Sequence, residues 1–111
     1  LDEFNGHYCQ LLISELLYKN DYVQSNRKDL LKAVDYFDSI DDGFLAARAH
    51  YINGVGFYEK GDVVNACAEY LKTLEVMEAH FEENELAGHK ARFLAYTYNR
   101  LGYLFSEQFM M

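Results

Sequence analysis

Val63, Ala66, Cys67, Tyr70, Leu74, Met77 and Phe81 recur at spacings of three and four, over about five turns at 3.6 residues each. A strand carries alternate residues on one face, so this spacing admits only a helix with a single apolar stripe. Such a stripe must be covered by another element. The cover lies just upstream, where residues 47–60 form a second helical segment. Gly61-Asp62 joins the two: glycine past a helix end supplies a positive φ, and aspartate caps the helix that follows. Small residues (Ala49, Gly54, Ala66) fall where the two helices must approach closely, with Phe57, Tyr70 and Leu74 at helical spacings from them. A tight pair of helices over residues 47–78 is therefore the unit around which the chain is arranged.

The remainder reads the same way. The chain contains no proline, which fits helices with short connections, because proline lacks an N–H and clashes with the preceding turn. Residues 3–19 show a stripe of Phe4, Tyr8, Leu11, Leu12, Leu16 and Tyr18, with a stop at Asn20-Asp21. Ser25 or Asn26 caps a second helix carrying Leu30, Leu31, Val34 and Phe37, with Asp29 in its first turn. Asp41 or Asp42 caps the third, which runs to about Lys60. The fourth ends near Asn84; the fifth runs from 85–86 to about Glu107 and accepts Gly88 near its start. The expectation is one all-α domain over 1–111 with about five helices: a pair over 3–40, a pair over 43–84 and the start of another over 85–111.

Charge and cysteine usage exclude several functions. The net charge of −8 argues against nucleic-acid binding by this segment, since that depends on Lys and Arg neutralising phosphates. Residues 41–85 hold ten acidic side chains against three basic, whereas 86–111 hold one against three. No apolar run reaches the roughly 20 residues of a membrane span. Cys9 and Cys67 lack a CxxC pattern and read as reduced, buried small hydrophobes. That favours the cytoplasm, but the chain begins at Leu1 and a targeting segment could lie outside it.

No catalytic constellation is present. His80, Glu82, Glu83, Glu85 and His89 cluster between the fourth and fifth helices, but zinc needs three or four convergent ligands, and an exposed acidic connection explains them better. His7 and Cys9 point to different faces of a helix. Gly54-Val-Gly56 lacks the preceding strand and the third glycine of a dinucleotide fingerprint. Neither a metal nor a cofactor is expected.

Residues 98–105 place Tyr98, Leu101, Gly102 and Phe105 in an aromatic-x2-Leu-Gly-x2-aromatic pattern. Residues 50–57 place His50, Asn53, Gly54 and Phe57 at the same spacing, followed by Gly61 at the turn and Ala66-x3-Tyr70. On these two copies the chain resembles a tetratricopeptide repeat protein. It departs from the pattern at His50 (for a large aromatic), Asn53 (for leucine) and Glu78 (for proline), and Gly54 and Gly102 lie 48 residues apart instead of 34. The extra length resembles the extended repeat helices of some bacterial sensor and regulatory proteins.

The resemblance implies a right-handed superhelical stack of antiparallel hairpins, an α-solenoid, cut from a longer regulatory or signalling protein. It also implies a non-catalytic scaffold that takes a peptide or a neighbouring domain on a concave face lined by the first helix of each pair. The matching positions are Arg48, Tyr51, Val55, Tyr58 and Glu59 on the third helix and Tyr96, Asn99, Arg100, Tyr103 and Ser106 on the fifth. Tyr and Arg are enriched at binding hot spots, and the seven residues selected as the groove are Arg48, Tyr51, Val55, Tyr58, Asn99, Arg100 and Tyr103. The alternative is a structural oligomerisation segment. Phe93, Leu94, Tyr96, Tyr98, Leu101, Tyr103, Leu104 and Phe105 cover most of the fifth helix's circumference, and a helix apolar all round is buried on both sides, so self-association through that helix is also expected.

Overall fold

The computed structural model describes residues 2–19, 27–40, 42–80 and 89–109, with side chains apart from those of residues 19, 27, 80, 89 and 105–109. These residues form five α-helices: α1 (Glu3–Lys19), α2 (Arg27–Ser39), α3 (Gly43–Glu59), α4 (Val63–His80) and α5 (His89–Phe109). Among the described residues there is no strand. The expected stop at Asn20-Asp21, the Ser25 or Asn26 cap, the end near Asn84, Gly88 and most of the acidic connection lie outside them.

The turn between α3 and α4 forms as its residues dictate. Gly61 has φ +80°, a conformation that costs glycine nothing. Asp42 caps α3 by accepting from the Leu45 N–H at 3.2 Å. Asp62 does the same for Asn65 at 3.2 Å. The Asn65 side chain and backbone amides then hold the Asp62 carboxyl below the usual carboxylate range.

Contacts between α3 and α4 run in opposite directions along the two helices. Thr73 Oγ1 reaches the Ala47 carbonyl at 3.4 Å, while Asn53 Nδ2 donates to Glu69 Oε2 at 3.2 Å nearer the turn. The hairpin is therefore antiparallel. At its crossing, Gly54 lies under Tyr70, whose ring atoms would be 2.7 and 2.9 Å from an added Cβ. Ala49, Ala66 and Tyr70 are completely buried there.

Against α1, by contrast, α3 runs parallel: Arg48 meets Glu15, and one turn further on Tyr51 meets Tyr18. The same holds against α5, where Phe44 and Tyr51 meet Phe93 and Tyr58 meets Arg100. The principal extents are 48 × 37 × 23 Å. The smallest equals about two helix diameters of 10–12 Å. Helices α1, α3 and α5 form one layer, and α2 and α4 the other. At the centre, α3 is buried from Leu45 to Gly56 except for half-buried Arg48.

Three sequence expectations are corrected. Cys9 is exposed, because it shares the outer face of α1 with Leu12, Ile13 and Leu16, all exposed. Gly102 is exposed and a Cβ there would meet nothing within 4 Å, so no close crossing forms at it among the described residues. α5 is not apolar and buried all round: Leu101, Leu104 and Thr97 are buried, but Tyr96, Tyr98 and Tyr103 stand in water. The phenol lets a ring count as apolar in a pattern and still be solvated at its polar tip.

Candidate functional site

The parallel helices enclose a groove of about 880 Å³. α1 supplies Glu15 and Tyr18, α3 supplies Phe44, Arg48, Tyr51, Ile52 and Tyr58, and α5 supplies Arg92, Phe93, Tyr96, Asn99, Arg100 and Tyr103. The structure thus brings together Arg48, Tyr51, Tyr58, Asn99, Arg100 and Tyr103 from the sequence reading. Val55 does not line the groove. It is buried in the core, because its short side chain stops there while Tyr51 and Tyr58, a turn to either side, extend further. Glu59 is exposed outside the lining, and the side chains of Phe105 and Ser106 lie outside the described residues.

Two arginines organise the groove differently. Arg48 donates twice to Glu15, Nε to Oε2 at 2.9 Å and Nη2 to Oε1 at 2.6 Å. Its guanidinium also lies 5.4 Å from the Phe44 ring centre and 5.9 Å from that of Tyr8. The bidentate bond to Glu15 holds its charge most firmly. Arg48 is therefore a strut between α1 and α3, where the sequence marked it as a contact for a partner.

Arg100 enters from α5. It donates to the Tyr18 hydroxyl and stacks 5.5 Å from the Tyr18 ring and 5.9 Å from that of Tyr58. Burial disfavours its charge, but the hydroxyls of Tyr18 and Tyr51 outweigh that and raise its pKa. Burial, followed by the neighbouring Tyr18, pushes the Tyr51 phenol up to about 12. The Tyr51 phenol remains protonated at neutral pH and offers a hydrogen bond. Glu15 is the one carboxylate among the lining residues, and it is committed to Arg48. Arg92 and Arg100 therefore leave the groove positive on a chain whose net charge is −8.

The contributions of α1 (Glu15, Tyr18), together with Phe44, Ile52, Arg92 and Phe93, were not anticipated. α1 carries no repeat motif, so nothing in the sequence sets its register against α3. Only the aromatic and charged character of Tyr18 and Glu15 one turn apart was available as a signal.

No family model matches the chain, and neither curated proteins nor solved structures give a significant match. Among the described residues, no group of three or more His, Cys, Asp or Glu is placed to hold a metal ion. No described helix is long and apolar enough to cross a membrane.

Proposed function

We propose that the chain is a non-catalytic interaction module of tetratricopeptide-like stacked hairpins, which takes an acidic segment of a partner protein in the groove of α1, α3 and α5. The observation that carries this reading is the groove itself. It is open, aromatic and positive, and it gathers six of the seven residues selected from the sequence. Its volume of about 880 Å³ lies within the roughly 300–1,000 Å³ of ligand sites. Arg100, set among tyrosine rings and hydroxyls, suits a carboxylate-bearing chain, because a desolvated charge-assisted bond outweighs a neutral one by about twofold. On a chain of net charge −8, Arg92 and Arg100 give an acidic segment a local positive site at the groove.

The test is fluorescence anisotropy with labelled pools of acidic, neutral and basic dodecapeptides. The acidic pool binds best, and Arg100→Ala and Tyr58→Ala each weaken it about tenfold or more with unchanged helicity. Equal binding of all pools, or wild-type affinity in both variants, refutes the assignment.

A second reading, self-association through α5, draws on exposed Tyr96, Tyr98 and Tyr103. Sedimentation of Tyr98→Ser separates the two, since Tyr98 lies outside the groove lining. A dimer lost in that variant favours association through α5.

A further inference from the structure

His50 stands where the repeat pattern has a large aromatic residue, and the structure puts a charge network there. The residue is 6% exposed. Its Nδ1 lies 2.8 Å from Glu69 Oε2 on α4, and its Nε2 lies 2.9 and 3.0 Å from the two carboxylate oxygens of Asp38 on α2. Ionised carboxylates accept hydrogen bonds and donate none, so each contact is a hydrogen bond only when both ring nitrogens carry protons. The geometry suits an imidazolium held between two carboxylates on different helices. Asn53, on its own helix, joins by donating to the same Glu69 oxygen at 3.2 Å.

We infer that His50 is a proton-operated latch fastening α2 to the α3–α4 hairpin. Loss of the ring proton leaves a lone pair facing one carboxylate. Glu69 is the more enclosed partner (21% exposed against 39% for Asp38) and is also tied to Asn53, so it keeps the Nδ1 proton. Nε2 then faces Asp38 without a hydrogen, and Asp38 turns toward water. The bond from α2 to α3 opens while that from α4 holds. The charges acting on the ring are Asp38 from α2 and Glu69 from α4; both attract the proton and outweigh burial, which opposes it.

The latch reaches the groove through α2. Phe4 and His7 of α1 pack on Phe37 and Tyr36 of α2, so α2 shares with the Arg48–Glu15 strut in setting where α1 sits relative to α3. With the latch open, α1 moves more freely against α3 and the wall of Glu15 and Tyr18 loosens. Protonation of His50 thus favours the bound groove. This last step rests on the groove reading; the latch itself does not.

The experiment follows the His50 ring nitrogens by NMR between about pH 6 and about pH 9, together with backbone amide exchange corrected for intrinsic rates. The expected result is an imidazolium that persists above the ordinary ~6.5 and then gives the Nδ1–H tautomer. Exchange of α2 amides rises about tenfold across the same interval while α4 amides stay protected. Asp38→Asn lowers the ring's titration and removes the pH dependence of α2 exchange; His50→Gln, which has no ring to titrate, removes that dependence too. A neutral ring at pH 6, an Nε2–H tautomer, or α2 protection that does not follow the ring overturns the latch. Affinity for the acidic peptide pool, measured over the same range, falls with the latch open. If exchange responds and affinity does not, coupling to the groove is refuted and the latch stands. If the pool does not bind at any pH, it is the groove reading that fails.

Discussion

Gly54 and Gly102 each stand three residues before a phenylalanine in stretches of similar spacing, yet the structure gives their replacement by alanine opposite signs. At Gly54 the new methyl would lie 2.7 Å from Tyr70 Cε1, 2.9 Å from Cδ1 and 3.2 Å from Glu69 Cβ. The nearest atom must retreat by about 0.7 Å to reach ordinary contact. Tyr70 is completely buried, so its ring has no open side to move into, and the strain passes to the spacing of α3 and α4. Overpacking of this kind costs roughly 1–3 kcal/mol. Alanine regains about 1 kcal/mol of helix propensity. With three atoms crowded at once the cost falls in the upper part of that range, about 2–3 kcal/mol, and the net loss is about 1–2 kcal/mol. Each kcal/mol lowers Tm by roughly 4–8 °C in a domain near this size. At Gly102 nothing lies within 4 Å of the added methyl, so only the propensity gain remains, about 0.5–1 kcal/mol of stabilisation. Urea and thermal denaturation of Gly54→Ala and Gly102→Ala, followed by circular dichroism, read both. A neutral or stabilised Gly54→Ala, or two variants moving in the same direction, refutes the argument from close approach.

Three further outcomes are expected. Tyr70→Phe removes a buried hydroxyl that has no hydrogen-bond partner among the described residues and raises stability by up to about 1 kcal/mol, read by urea denaturation; a loss of stability shows that the hydroxyl is satisfied. Glu15→Ala leaves the half-buried Arg48 guanidinium without its bidentate acceptor and costs about 1–2 kcal/mol, between exposed and buried pairs, read by urea denaturation; no change sinks the strut. The folded-state pKa of His50 is raised above 6.5, with burial opposing and Glu69 and Asp38 prevailing. Its stabilisation is therefore fully present below about pH 6.5 and lost as pH rises through the folded-state value. Thermal denaturation across pH shows this slope, and His50→Gln flattens it; an identical slope in the variant assigns the effect to another group.

Much of the groove was legible because the motif copies fix the faces of α3 and α5. Arg48, Tyr51, Tyr58, Asn99, Arg100 and Tyr103 follow from helical spacing once those faces are known. Val55 was misplaced because spacing gives a direction without a depth, and a valine ends where a tyrosine continues. Arg48 lines the groove, and spacing gave no sign of its bond to α1. Its partner Glu15 is 33 residues away on a helix without a motif, and pairing across that distance is a tertiary event. His50 and Asn53 looked like departures from a pattern. Their reason lies in Asp38 and Glu69, which local sequence does not connect to them.

By itself the sequence determined the five helices, the turn at Gly61, the cap at Asp62, a cap at Asp41 or Asp42, and the close pairing of α3 with α4. All of these depend on backbone preference and on contacts across a short connection, which the order of residues encodes directly. The tertiary structure decided which surfaces are finished. It buried α3 from Leu45 to Gly56 apart from Arg48, left the tyrosines of α5 in water, committed Glu15 to Arg48, and set His50 between Asp38 of α2 and Glu69 of α4. Those outcomes depend on the register between helices joined by longer links, where side-chain volume and charge pairing, more than periodicity, select the packing.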